Sequence, residues 1–265
     1  MLRLIQGLSV AGDDANEDLC WIGTDDAVLL DGASSLDSKH HDSIDFVTAF
    51  IGEYKKVTDG TDLPLHDCVN LALSPLRSQF DRERYASDVA PSASVAVVRL
   101  RHGILSVLLI GDCTAIIYGT DGAARRLRLD EVKAFDRIAL SLARSISERD
   151  GTSMRVAMQS DSVRRCLMAN RMKMNADDGY RILAANMPLV GEKDVIHIPE
   201  GEVAAFLLHS DGFDAIGDRF LSPTCNIRRL YGELRAMEET DANFDEMPRF
   251  KLHDDASAMM VSVKS

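Results

Sequence analysis

Aspartate stands beside glycine where apolar runs end. Val28-Leu29-Leu30 runs into Asp31-Gly32, Leu108-Leu109-Ile110 into Gly111-Asp112, and Phe206-Leu207-Leu208-His209-Ser210 into Asp211-Gly212. Asn16-Glu17-Asp18 and His253-Asp254-Asp255 border apolar runs in the same way. A single strand-end aspartate is a turn former or a helix cap. Asp121-Gly122 and Asp150-Gly151 read as turns and nothing more. Several carboxylates meeting at one rim are different, because they repel one another and resist ionising. A hard divalent cation relieves that repulsion, and Mg²⁺ and Mn²⁺ both prefer oxygen ligands. Glycine after the aspartate frees the backbone, so that a main-chain carbonyl can join the ligands.

The elements that must position these groups are visible in the patterning. Leu2 to Val10 and Cys20 to Ile22 read as early strands, and Ala27 to Leu30 as a strand buried on both faces. Asp42 to Lys56 carries Ile44, Val47, Ile51 and Tyr54 on one helical face. A second helical pattern runs from Leu65 to Arg84, interrupted or kinked at Pro75. Ala93 to Leu100 and Ile104 to Ile110 flank a short glycine-containing loop, a hairpin signal. Ala115 to Tyr118 and Arg125 to Leu129 form a second hairpin, so the centre of the chain reads as an antiparallel meander. Two amphipathic helical patterns then fill 131–175 before strands resume at Val195 and Ala204. A helix over Asn226 to Glu239 and a closing strand over Ala256 to Val263 complete the chain. The pattern predicts an α+β layered sandwich, 1–265 as a single domain, with a helical insertion around 131–175.

Composition narrows the function. The chain has 265 residues, 46% hydrophobic and 27% charged, enough apolar mass for a sizeable core. Its net charge of −12 argues against nucleic acid and anionic membrane as partners, since both need a basic footprint. The five cysteines show no C-x-x-C and no regular spacing, which reads as reduced thiols, not a disulfide frame or zinc site. The first apolar run is too short for a secretory signal, and no stretch is long enough to span a bilayer. A cytoplasmic location is expected by default.

Taken in order, the acidic motifs resemble those of the metal-dependent protein phosphatase 2C family of serine/threonine phosphatases, in its compact bacterial form. The resemblance runs over nearly the whole chain. It rests on Asn16-Glu17-Asp18, on Asp31-Gly32, and on the small-residue strand from Pro91 to Val98. It rests also on Gly111-Asp112-Cys113, on Ser210-Asp211-Gly212-Phe213, and on Asp254-Asp255-Ala256-Ser257. The fold it implies is a four-layer α-β-β-α sandwich of two antiparallel sheets, with a dinuclear Mn²⁺ or Mg²⁺ centre at one rim. In that resemblance Asp31 bridges both metals, the Gly32 carbonyl binds one of them, and Asp211 and Asp254 bind the other. Glu17 and Asp18 hold metal-bound waters or lie behind the ligands, and Asp112 matches a position linked to a third, looser ion beside the flap. The reaction implied is attack on phosphorus by a water bridging the metals. The implied partner is a phosphorylated protein, with a cognate Ser/Thr kinase or its targets behind it.

The sequence departs from that pattern in two places. Asp13 takes the position of an arginine that grips substrate phosphate in many members, so the charge there is inverted. Either substrate affinity is weakened, or another cation, such as Arg3 or Lys39, substitutes for it. Ala33-Ser34 follows the Asp31-Gly32 pair, where eukaryotic members place a histidine proposed as general acid. His40 and His41 lie nearby and receive no role, and His209 and His253 are either buried core histidines or supports for the neighbouring aspartates. Arg164, Arg165, Arg171 and Lys173 make the 131–175 block locally basic, either as a solvated face or as a surface for phosphorylated protein. Two other functions stay open: a regulatory pseudophosphatase that only binds a partner, and a hydrolase of small phosphoesters.

Overall fold

The structure is a computed structural model, and residues 1–33, 42–80 and 90–263 are described. Lys39, His40, His41 and the end of the helical pattern near Arg84 lie outside the described residues. In chain order the elements are β1 (Leu2–Val10), β2 (Asp18–Ile22), β3 (Asp26–Ala33), α1 (Asp42–Thr58), α2 (Leu65–Leu73) and α3 (Leu76–Gln79). Next come β4 (Ser92–Arg101), β5 (Ile104–Ile110), β6 (Thr114–Gly119), β7 (Ala124–Leu127), α4 (Glu131–Asp150), α5 (Met154–Met158) and α6 (Asp161–Arg171). The chain ends with β8 (Leu183–Ala184), β9 (Val195–Pro199), β10 (Val203–His209), a 3-10 segment (Asp211–Leu221), α7 (Ile227–Thr240) and β11 (Ala256–Val263).

Two antiparallel sheets stack face to face. One has the order β1-β11-β10-β6-β7, the other β2-β3-β4-β5-β9 with the short β8 added on β4. The apolar run in β3 is continuous because both of its faces are covered. Ala27 and Leu29 point between the sheets, toward Phe206, Leu208 and Val261. Val28 and Leu30 point the other way, into a helix layer built on Phe46, Phe50, Tyr54 and Val69. The outer face of the first sheet, with Ile116, Leu207 and Met260, is covered by Phe213 and Phe220 of the 3-10 segment and by Leu230 and Leu234 of α7. Layers therefore run helix, sheet, sheet, helix. Each fully buried Leu or Phe stabilises this stack by about 1.5–3 kcal/mol. A charge at Leu29, which has no exposed surface, would separate the sheets.

The central meander is divided between the sheets, unlike the single meander that the hairpin signals predict. β4 and β5 pair in one sheet, and β6 and β7 pair in the other. The chain changes sheets at Gly111, whose φ of 80° is a left-handed conformation that favours glycine. A side chain there would also strike Ser94, whose Oγ lies 2.3 Å from the Cβ position. Hairpin signals are local and carry no information on which sheet a hairpin joins. The helical pattern broken at Pro75 resolves into α2 and α3, separated at Ser74-Pro75. Helices α4, α5 and α6 share a small apolar cluster of their own, with Ala143, Ile146, Met154 and Val163 against Phe244. Among the described residues no helix is long and apolar enough to cross a membrane.

Candidate metal centre

The strand ends converge as the acidic motifs predict. Asp31, Gly32, Asp112, Asp211, Asp254 and Glu17 all line one cavity of about 470 Å³. Asp18 lies just beneath it, opposite Asp31 in the β2–β3 register. Among the described residues nine carboxylates line the cavity against two basic side chains, Arg171 and Lys251. That imbalance sets its electrostatics.

Each carboxylate is held from its own element. Asp31 ends the apolar part of β3, and its Oδ2 accepts the main-chain N–H of Asp211 at 3.3 Å. Gly32 must be glycine, because a Cβ would lie 2.7 Å from the Glu17 carbonyl oxygen. Glu17 is buried and accepts a hydrogen bond from Ser43 Oγ of α1 at 2.5 Å. Asp18 Oδ2 accepts from Ser210 Oγ at 2.8 Å, while its Oδ1 is buried without a hydrogen-bond partner. Ser210 is in turn locked to Ser257, donating from its N–H to the Ser257 carbonyl at 2.9 Å. Asp112 Oδ1 accepts from Ser94 Oγ at 2.6 Å. Asp254 pairs with Lys251 at 3.0 Å, and its carbonyl accepts from Arg235 of α7 at 2.5 Å. Asp255, which the sequence reading leaves without a role, clamps the N-terminal loop: its two carboxylate oxygens accept the main-chain N–H groups of Gly12 and Glu17 at 2.8 and 2.7 Å.

Burial and mutual repulsion raise several of these acids. Burial pushes Asp18 up to about 7 against its serine hydrogen bonds, and the charges of Asp255 and Asp211 add to the rise. Burial, then Asp18 and Asp211, hold Asp31 well above the ordinary carboxylate range. Burial and Asp211 push Asp254 up to about 6. For Asp211 burial also acts upward, but the Lys133 ammonium outweighs it and leaves the carboxyl below the ordinary range.

Lys133 is absent from the sequence reading and central to the geometry. Its Nζ lies 2.8 Å from Asp211, 3.1 Å from Asp112 and 3.1 Å from Asp214. Asp136, one turn further along α4, also lines the cavity and is pushed up to about 7 by burial. The only sequence signal was an i, i+3 pair of charges at the start of a helix, which normally marks a solvated face. The 131–175 block thus leaves from and returns to the cavity, through Val132 and Asp136 at one end and Asn170 and Arg171 at the other, and Lys133 reaches the lining carboxylates Asp112 and Asp211. It brings charge to the carboxylates as well as a surface around them. Arg164 and Arg165 are exposed on α6 and do not line the cavity.

Asp13 has a structural task. Its Oδ2 accepts the main-chain N–H groups of Leu252 and His253 at 3.0 and 3.2 Å, and its Oδ1 lies 3.2 Å from His253 Nδ1. Arg3 sits on β1, away from the cavity lining, whereas Arg171 lines it and donates to the Ala33 carbonyl at 3.1 Å. His209 is a core histidine: it is buried against Phe220, its Nδ1 lies 2.9 Å from the Ser210 carbonyl, and burial pushes it down to about 4.

The donor set suits a hard cation. It is made of oxygen, it is crowded with like charge, and it includes the orphaned buried Oδ1 of Asp18. Among the described residues no three His, Cys, Asp or Glu side chains are yet gathered in metal-binding geometry. Lysine ammoniums stand among the carboxylates instead, at the longer distances of ion pairs.

No protein-family model matches the sequence, and no curated protein matches it. Solved structures do. The catalytic domain of the serine/threonine protein phosphatase PstP, in complex with two manganese ions, is 15% identical with a TM-score of 0.59, covering 100% of this chain and 99% of that one. Stp1 of Staphylococcus aureus, a serine/threonine phosphatase, is 14% identical with a TM-score of 0.57 over 99% and 96%. PppA of Pseudomonas aeruginosa, a regulatory component of the type VI secretion system, is 14% identical with a TM-score of 0.58 over 99% and 98%. The chain has, over its whole length, the fold of the bacterial protein phosphatase 2C-type serine/threonine phosphatases.

Proposed function

We propose that the chain is a metal-dependent phosphoprotein phosphatase that hydrolyses phosphoserine and phosphothreonine. The observation that carries this reading is the meeting of Asp31, Asp211 and Asp254 at one cavity, in a fold shared with serine/threonine phosphatases. Asp31 would be shared by two divalent ions, with the Gly32 carbonyl on one side and Asp211 and Asp254 on the other. Glu17 and Asp18 stand behind them as holders of water, and Asp112 faces the flap. Mn²⁺ is the first candidate, because the PstP neighbour was obtained with two manganese ions; Mg²⁺ has the same ligand preference. Bound there, the ions supply an activated water and neutralise phosphoryl charge.

The chain's own residues do the rest. Ser94 and Ser210 fix the carboxylate rotamers of Asp112 and Asp18. Arg171 lines the same cavity and would orient the substrate phosphate in place of the arginine that Asp13 replaces. The 131–175 block frames the entrance, and its exposed Arg164 and Arg165 offer a basic surface to a phosphorylated segment. The protein would act in the cytoplasm, opposing a Ser/Thr kinase.

A second reading, a regulatory pseudophosphatase, is favoured by one observation: Lys133 and Lys251 already neutralise part of the carboxylate cluster. One assay separates the readings. Phosphate release is measured with and without Mn²⁺, on a phosphothreonine peptide and on a small aryl phosphate. The proposal expects Mn²⁺-dependent release from the peptide. Release from the aryl phosphate alone makes the chain a small-phosphoester hydrolase, and no release from either makes it a binding module.

A further inference from the structure

Lys133 enters the carboxylate cluster from the first turn of α4. Its partners come from two separate connections: Asp112 from the turn where the chain changes sheets, and Asp211 and Asp214 from the 3-10 segment after β10. An ammonium has three N–H donors and no acceptor. Three carboxylates within 3.1 Å offer an acceptor to each. The lysine side chain is only 17% exposed, unlike a surface ion pair that trades partners with water. Asp112 is fixed further by Ser94 Oγ at 2.6 Å, so the acceptor set is built into the sheet.

Three carboxylates around one compact positive charge make a cation position. Lysine is a point charge on a flexible stem, which suits it to fill such a place. Its N···O distances are about 0.7–1 Å longer than a Mg²⁺-sized ion needs, so the same carboxylates would close slightly around a metal. We propose that Lys133 is a tethered counter-ion. It fills a cation position between Asp112, Asp211 and Asp214, and it holds the number of divalent ions at this rim one below what the carboxylates otherwise take. The inference builds on the metal-centre reading, because Asp211 belongs to both sets. It gives α4 a part in setting metal occupancy, and it makes Lys133 a positioning residue for Asp211.

The test is a count of Mn²⁺ ions per chain, by calorimetric titration of metal-stripped protein and by elemental analysis after desalting. Wild type is compared with K133M, K133R and the double variant K133M/D214N. K133M is expected to take up one more ion than wild type. K133R should match wild type, and the double variant should lose the extra ion. Equal counts in wild type and K133M overturn the proposal. The count also separates it from the dinuclear reading: two ions in both proteins removes only the counter-ion role, none in wild type and one in K133M removes only the dinuclear centre, and none in either removes both. K133Q carries the same comparison if K133M does not fold. Failure of both variants to fold at any Mn²⁺ concentration overturns the proposal too, because a divalent ion is then unable to take the ammonium's place.

Discussion

Asp31 and Asp211 are 180 residues apart, yet Oδ2 of Asp31 accepts the main-chain N–H of Asp211 at 3.3 Å. One lies at the end of a strand in each sheet, so this bond ties the two sheets at the rim where the carboxylates meet. Asp31→Asn keeps an acceptor for that bond and removes a charge whose ionisation is opposed by burial, Asp18 and Asp211. The metal-free variant is therefore expected to melt at or above the wild-type temperature. Its phosphatase activity should be lost, together with the stabilisation that Mn²⁺ gives wild type. Thermal melts in chelator and in Mn²⁺ read both effects, and an unchanged Mn²⁺ shift in the variant would place the centre elsewhere.

Asp13 tests whether its position is a damaged phosphate grip or a brace. On sequence alone, restoring arginine there should tighten substrate binding. The structure predicts the reverse, since the carboxylate accepts two main-chain N–H groups from the loop that carries Asp254. Asp13→Ala should cost about 2 kcal/mol of stability and weaken Mn²⁺ binding. Asp13→Arg should be no better than alanine in KM. A lower KM for Asp13→Arg with unchanged stability would show that the brace is dispensable.

Stability of the metal-free protein should fall as pH rises through neutrality. Asp18 and Asp136 are both pushed up to about 7 by burial, so the folded chain holds protons that the unfolded chain has released. Going from pH 8 down to 6.5 should add about 1.5 kcal/mol from these two groups together. Below that His209, pushed down to about 4, works the other way, because the unfolded chain takes up its proton first. Urea unfolding in chelator at three pH values between 6.5 and 8 measures the slope. A stability that climbs with pH over this range contradicts the burial of these acids.

The arginines of the helical block divide by location. Arg171 lines the cavity, so Arg171→Ala should raise KM about tenfold or more for a phosphopeptide and an aryl phosphate alike. Arg164 and Arg165 are exposed on α6, so neutralising both should slow turnover of a phosphoprotein and leave the aryl phosphate untouched. Equal losses on both substrates from the Arg164/Arg165 pair would mean that α6 supports the carboxylates instead.

Much of this arrangement could be read before folding, because it is local. The apolar run of β3 and the glycine after Asp31 announce a strand buried on both faces that ends close to another backbone. What stayed hidden is non-local. Nothing around Gly111 says that β5 and β6 belong to different sheets. Lys133 looks like any lysine in a first helical turn until the fold sets α4 against three aspartates contributed by other segments. Asp13 reads as a lost arginine because the loop it holds lies 239 residues away.

Anomalous diffraction at the manganese edge from Mn²⁺-soaked crystals decides whether Asp31 is shared by two ions. Two peaks are expected about 3.5–4 Å apart, with Asp31 between them, Gly32 beside one, and Asp211 and Asp254 beside the other. No peak at this rim, or peaks that Asp31 does not touch, would contradict that sharing.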